Sequence, residues 1–303
     1  RKMGALRSGG PVHFDRGGRD PFQKYLHEST KKKEPIDFER VTTSLFSLPA
    51  ENQNFSPLKE VLTHPHWNDS DKVRVMSEVL EYHQNADLPD PGSGKSALYY
   101  AFQLKDHKAR LAAVNMLVQH GVELNKPDLH GRTPMHEALE YGCSDVIPLM
   151  VSYGGKFTLT GRGQSLGDIA MNHFKETLRN PGLSQQAFED NLTEYYKSLA
   201  QIKKYKLHKG AFDFSEHKKE LQSICKEYPG YGPFVDTMEL ELGKIQPLEQ
   251  RGKEEKPRVF TNPGWGLNEP IANTYQHPWL KMLSVMERMN DKLERKIVIQ
   301  ESD

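Results

Sequence analysis

A chain that spells one short pattern three times at near-regular spacing cannot build three separate cores. Each copy is too small to bury its own apolar face, so each must stack on the next. Gly94-Lys-Ser-Ala-Leu-Tyr-Tyr-Ala101 aligns with Gly131-Arg-Thr-Pro-Met-His-Glu-Ala138 and, more weakly, with Gly163-Gln-Ser-Leu-Gly-Asp-Ile-Ala170. A second half repeats as well: "AVNMLVQHG" at 113–121 matches "VIPLMVSYG" at 146–154, a shift of 33 residues. A degenerate earlier copy begins at "NFSPLKEV" (54–61) and continues through "VRVMSEVLEYH".

Each element of the pattern has a physical reason. Glycine at the end of "PGSG", "DLHG" and "TGRG" suits the last position of a tight turn. Ser96, Thr133 and Ser165 are expected N-caps, and Pro134 stands at the first helical position, where its missing N–H costs nothing. Ala101, Ala138 and Ala170 let neighbouring helices approach. The apolar residues of 113–118 and 146–151 predict a second helix, closed by Gly121 and Gly154.

One turn and two antiparallel helices per copy resembles the ankyrin repeat. "HGRTPMHEALEYG" is close to that family's Thr-Pro-Leu-His-x-Ala-x-x-x-Gly core, and "LVQHGVELNKPD" to the connection that follows it. The match is strongest over 94–157, weaker over 158–175 and faint over 50–90. Tyr99 and Asp168 depart from the family's His, and Ala97 and Leu166 from its Pro. The resemblance implies an all-α solenoid of three to four repeats with short β-turn fingers, binding a partner protein along finger tips and the face of the first helices. Those positions here are Lys95, Gln103, Leu129, His130, Arg132, Glu140, Tyr141, Arg162, Gln164 and Asn172. It also implies that His136 bonds Thr133 or backbone between repeats. Asn125 resembles the ankyrin asparagines that eukaryotic asparaginyl hydroxylase modifies. Few, divergent repeats joined to a different helical region resemble the effectors that intracellular bacteria deliver into host cells; this implies a host protein as partner and the host cytoplasm as location.

The remaining segments read as follows. Residues 1–33 carry nine Lys or Arg against three acids, and 1–35 is expected to be a flexible basic arm. The repeats with their degenerate copy fill 36–182. Residues 183–303 are expected to be a helical region, with helices over 184–205 and 213–228. "GYGPF" reads as a break, 247–257 as a linker, "KPRVFTNPGWGLNEP" as an ordered loop, and a last amphipathic helix starts near Pro278.

Several chemistries are disfavoured. "GSGKS" needs a glycine at position 89 to be a phosphate-binding loop, and Pro89 removes an N–H donor there. Net charge is zero, so no global field steers the chain to nucleic acid or membrane. No apolar run reaches the length of a membrane span, and no signal peptide is recognisable. Cys143 and Cys225 are the two cysteines and no C-x-x-C occurs, which speaks for a reducing compartment. His64-Pro-His66 lacks acidic or Cys partners at helical spacing, so no metal or other cofactor is expected. Protein–protein recognition by a monomer is therefore the expected function. The alternative is a cysteine-dependent hydrolase or transferase with its site in the C-terminal region, where Cys225 would be the nucleophile, served by His208 or His277, and the repeats would recruit substrate.

Overall fold

The computed structural model describes residues 18–46, 56–82, 86–160, 162–228 and 230–248. They form two compact units that divide between Glu123 and Leu124. Both are built of helices, with no strand among the described residues.

In the first unit the described helices are α1 (Pro21–Lys32), α2 (Phe38–Leu45), α3 (Pro57–Leu62), α4 (Asp69–Tyr82), α5 (Ala97–Ala101) and α6 (His107–Gln119). They alternate between two layers: α1, α3 and α5 lie side by side, while α2, α4 and α6 form the second row. Each odd helix also packs on the even helix that follows it. Val73, Leu98, Tyr99, Val114 and Leu117 are buried between the rows, each contributing about 1.5–3 kcal/mol through removal of its side chain from water.

In the second unit α7 (Pro134–Glu140) is followed by a 3₁₀ turn (Ser144–Val146) that runs into α8 (Ile147–Ser152). Then come α9 (Leu166–Leu178), α10 (Gln185–Lys204), α11 (Ser215–Lys226) and α12 (Gly232–Lys244). α9 packs on α7 and α10, and α12 packs on α10 and α11. α11 reaches α9 through the Lys175–Glu220 ion pair. The Phe174 ring stacks on Tyr195 at 5.7 Å, and Phe188 stacks on Tyr228 at 4.1 Å. Helix pairing thus continues past the third copy of the motif.

The flexible-arm expectation fails for residues 21–32, which are α1. Phe22, Tyr25 and Leu26 follow helical spacing and are buried. Asp20 accepts from the Gln23 N–H while Gln23 accepts from the Asp20 N–H, a reciprocal cap. Basic Lys31 and Lys32 fall in the last turn, where they complement the carbonyl end of the helix. A basic count read as disorder was helix chemistry.

Two further differences concern helix ends. Ser96 occupies the N-cap position of α5, but its hydroxyl makes no capping bond. Ser165 does cap α9, and Asp168 returns the bond to the Ser165 N–H. The break expected at "GYGPF" is the start of α12, with Pro233 in its first turn and Phe234, Val235, Met238 and Leu242 on its buried face. Residues 1–17, the linker beyond 248, the "KPRVFTNPGWGLNEP" loop and the helix expected near Pro278 lie outside the described residues.

Candidate recognition surface

The turn at 128–132 is closed from within. The Asp128 N–H donates to the Arg132 carbonyl at 2.8 Å and the Gly131 N–H to the Asp128 carbonyl at 3.1 Å. The Asp128 carboxylate accepts from the His130 and Arg132 N–H groups at 2.8 and 3.0 Å. Gly131 sits at φ 72°, a conformation that a side chain at this position would strain. The next turn repeats this geometry with a different residue. The Thr160 N–H donates to the Gln164 carbonyl, the Gly163 N–H to the Thr160 carbonyl, and the Gln164 N–H to Thr160 Oγ1 at 3.0 Å. In the first unit, Asp90 closes the turn that holds "PGSGK", accepting from the Ser93 N–H and from Lys59 Nζ at 2.6 Å.

Two side chains of the second unit tie successive turns together. Neutral His136 accepts from the Thr133 N–H at Nδ1 (2.9 Å) and donates from Nε2 to the Thr158 carbonyl at 2.6 Å. Burial holds its pKa below the ordinary value, which keeps one nitrogen an acceptor. Asn125 donates to the Gly154 carbonyl at 3.0 Å and accepts from the Lys156 N–H at 2.8 Å. Against this geometry, the model of a family described as ankyrin repeats in three copies matches residues 67–160. Residues 67–160 are ankyrin repeats. No curated protein matches the chain.

The positions expected to face a partner can now be placed residue by residue. Leu129, at the tip of its finger, is 69% exposed, and His130 beside it is exposed. Tyr141, at the end of α7, is 42% exposed. Glu140, Arg162 and Asn172 are exposed and Gln164 is half-buried. Arg132 and Glu140 come together directly as an ion pair, and Arg132 Nε lies 3.4 Å from Glu137 Oε2. Arg132 is therefore engaged within the fold, and its side chain is only 26% exposed. His173, next to Asn172 on α9, bonds the Glu140 backbone, which brings α9 to the end of α7. Lys95 and Gln103 belong to the first unit, where Lys95 Nζ lies over the Tyr99 ring at 5.6 Å. Leu159, also exposed, escaped the sequence reading. It sits outside the Gly-x-Ser/Thr register, so only the exposure of a turn could have marked it.

The histidine and cysteine candidates have structural surroundings. His64 stacks on Trp67 at 3.9 Å, accepts from the His66 N–H at Nδ1 and meets Thr30 Oγ1 at Nε2. Burial first, then His66, lower its pKa to about 4, so the ring is neutral at pH 7. Cys225 lies on the buried face of α11, where burial pushes its thiol up to about 11. His217, eight residues before it on α11, packs against Gly167 and the Tyr195 ring. At pH 7.5 such a thiol holds about a hundredfold less thiolate than an ordinary cysteine. Iodoacetamide should label Cys225 of native protein far more slowly than that of unfolded protein, as read by peptide mass mapping. Rapid native labelling would restore the nucleophile reading.

Proposed function

We propose that the chain is a protein-recognition module whose contact surface in the second unit centres on Leu129 and Tyr141. The supporting observation is the finger itself. The hydrogen bonds that shape the 128–132 turn are made by Asp128 and by the backbone of His130, Gly131 and Arg132, so the exposed Leu129 side chain contributes nothing to closing it. An exposed leucine together with a partly exposed tyrosine ring on one ankyrin repeat is the apolar-plus-amphipathic composition that anchors protein interfaces. His130, Glu140 and Asn172 supply the polar rim. Asn125 and His136 serve the joints between repeats rather than the contact.

The test begins with capture from eukaryotic lysate and mass spectrometry, which names a partner and asks whether it is a host protein, as the resemblance to bacterial effectors supports. The double variant Leu129→Ala/Tyr141→Ala should keep its melting temperature within a few degrees of wild type. It should bind the captured partner at least about thirtyfold more weakly, the loss of about 2 kcal/mol that marks a hot spot. Unchanged affinity would move the contact surface elsewhere.

A further inference from the structure

The loops that lead into α7, α9 and α11 run along one edge of the second unit. Asn125 and His136 bond the first of these loops to the second, through Gly154, Lys156 and Thr158. The third loop, 205–214, opens into α11 two residues before His217. The His217 ring stands 3.0 Å from where a methyl on Gly167, at the start of α9, would lie. The loops 153–165 and 205–214 therefore enter their helices side by side.

This edge carries a charge that the whole chain does not. Over 153–165 and 205–214 there are four basic residues, Lys156, Arg162, Lys206 and Lys209, against one acid, Asp213. All four basic side chains are exposed. Asp213 accepts from the Ser215 N–H at 2.8 Å, at the start of α11. Unlike Arg132, which Glu140 and Glu137 hold, none of the four meets a carboxylate among the described residues. Leu129 and Leu159, in the first and second of these loops, are exposed, so the edge offers single apolar groups as well as cations. A row of uncompensated cations lowers the energy of an approaching anion and speeds its encounter.

We infer that this edge docks an acidic peptide segment of the partner protein, with Asp or Glu side chains over Lys156, Arg162, Lys206 and Lys209 and apolar side chains against Leu129 and Leu159. The inference rests on the protein-recognition reading above and adds the partner's chemistry to it. Nucleic acid would match the cations, but single strands also need exposed aromatic planes for base stacking, and the rings of these two loops, Tyr153, Phe157, Tyr205 and Phe212, are half-buried. An anionic membrane would match both features, but two leucines on separate turns bury too little to hold a protein on a bilayer.

The experiment pans the full chain at 0.15 M NaCl against a display library of random twelve-residue peptides. Enriched peptides should be acidic and carry apolar residues between the acids. One such peptide, synthesised and labelled, should bind the variant Lys156→Glu/Arg162→Glu/Lys206→Glu/Lys209→Glu at least about tenfold more weakly than wild type. Its affinity for wild type should fall with added salt. Helical content and melting temperature of the variant show whether the fold is kept, and a single Lys206→Glu variant serves if it is not. Peptides enriched without acidic bias, or an affinity indifferent to charge reversal, would overturn the acidic partner and leave protein recognition standing. Failure to enrich any peptide, together with no capture from lysate, would remove both. Tighter charge-dependent binding to phosphatidylserine vesicles or to single-stranded RNA would overturn the peptide in favour of that ligand.

Discussion

Arg132→Ala should lower the stability of the protein by about 2–3 kcal/mol, making it unsuitable as a probe of binding. Glu137 is buried on α7, with Arg132 Nε 3.4 Å from its carboxylate and the Arg132–Glu140 pair completing the contact. Removing one partner of a buried pair costs more than the pair contributes, because the surviving charge stays away from water without compensation. The Arg132 side chain keeps a quarter of its surface in solvent, which places the loss at the lower end of what fully buried pairs show. Thermal and urea denaturation should give a melting temperature lower by roughly 4–12 °C for a chain of this size. Adding Glu137→Gln should recover most of the loss, since the buried charge that lost its arginine is then gone. A stable single variant would show that Glu137 is served by other groups and that Arg132 is available to a partner.

The same residue marks how far the surface was legible. Leu129, His130 and Arg132 were all picked out as finger positions, and the structure puts all three in one turn. Sequence alone cannot distinguish a finger arginine facing a partner from one folded back on its own helix. That depends on Glu137 and Glu140, four and seven positions after the N-cap Thr133, facing the turn rather than solvent. Nothing local in the sequence marks Lys206 and Lys209, because their place beside the third finger depends on α11 returning to α9. The cue for that return, His217 against the small Gly167, is a contact between distant segments.

The fold was legible where one chemistry repeats. The Gly, the cap and the Ala recur in register, and the turns and first helices α5, α7 and α9 follow them. Capping itself proved interchangeable: Asp168 does at α9 what His136 does at α7, while Ser96 holds the position without the bond. Outside the register, local signals competed. Gly and Pro around 230–233 read as a stop, yet Pro233 is tolerated in a first helical turn, and the buried spacing after it makes α12. The contact of Glu194 with Ser144 had no signal in the sequence at all, because the two are fifty positions apart and neither belongs to the repeated pattern.

That contact leads to the second expected result. Glu194 on α10 accepts from the Ser144 N–H at 2.8 Å, at the start of the 3₁₀ turn that leads into α8. Burial raises its carboxyl from an ordinary 4.5 to about 7, with Asp145 adding to the rise and Lys197 and the Ser144 bonds opposing it. Below about pH 4.5 the group is neutral in both folded and unfolded chains and has no effect on stability. Between there and about pH 7 the unfolded chain ionises first, so the folded state loses stability as pH rises, and above 7 the loss is complete. Its size is about 1–3 kcal/mol, nearer the lower figure because Glu194 is only half-buried and water screens part of the charge. Glu194→Gln keeps an oxygen to accept from Ser144 and removes the ionisation. Denaturation at pH 5, 6, 7 and 8 should show the variant level with wild type at pH 5 and more stable at pH 8, the difference growing through the interval between. A variant less stable at pH 8 would mean that the negative charge at this helix start contributes more than its burial costs.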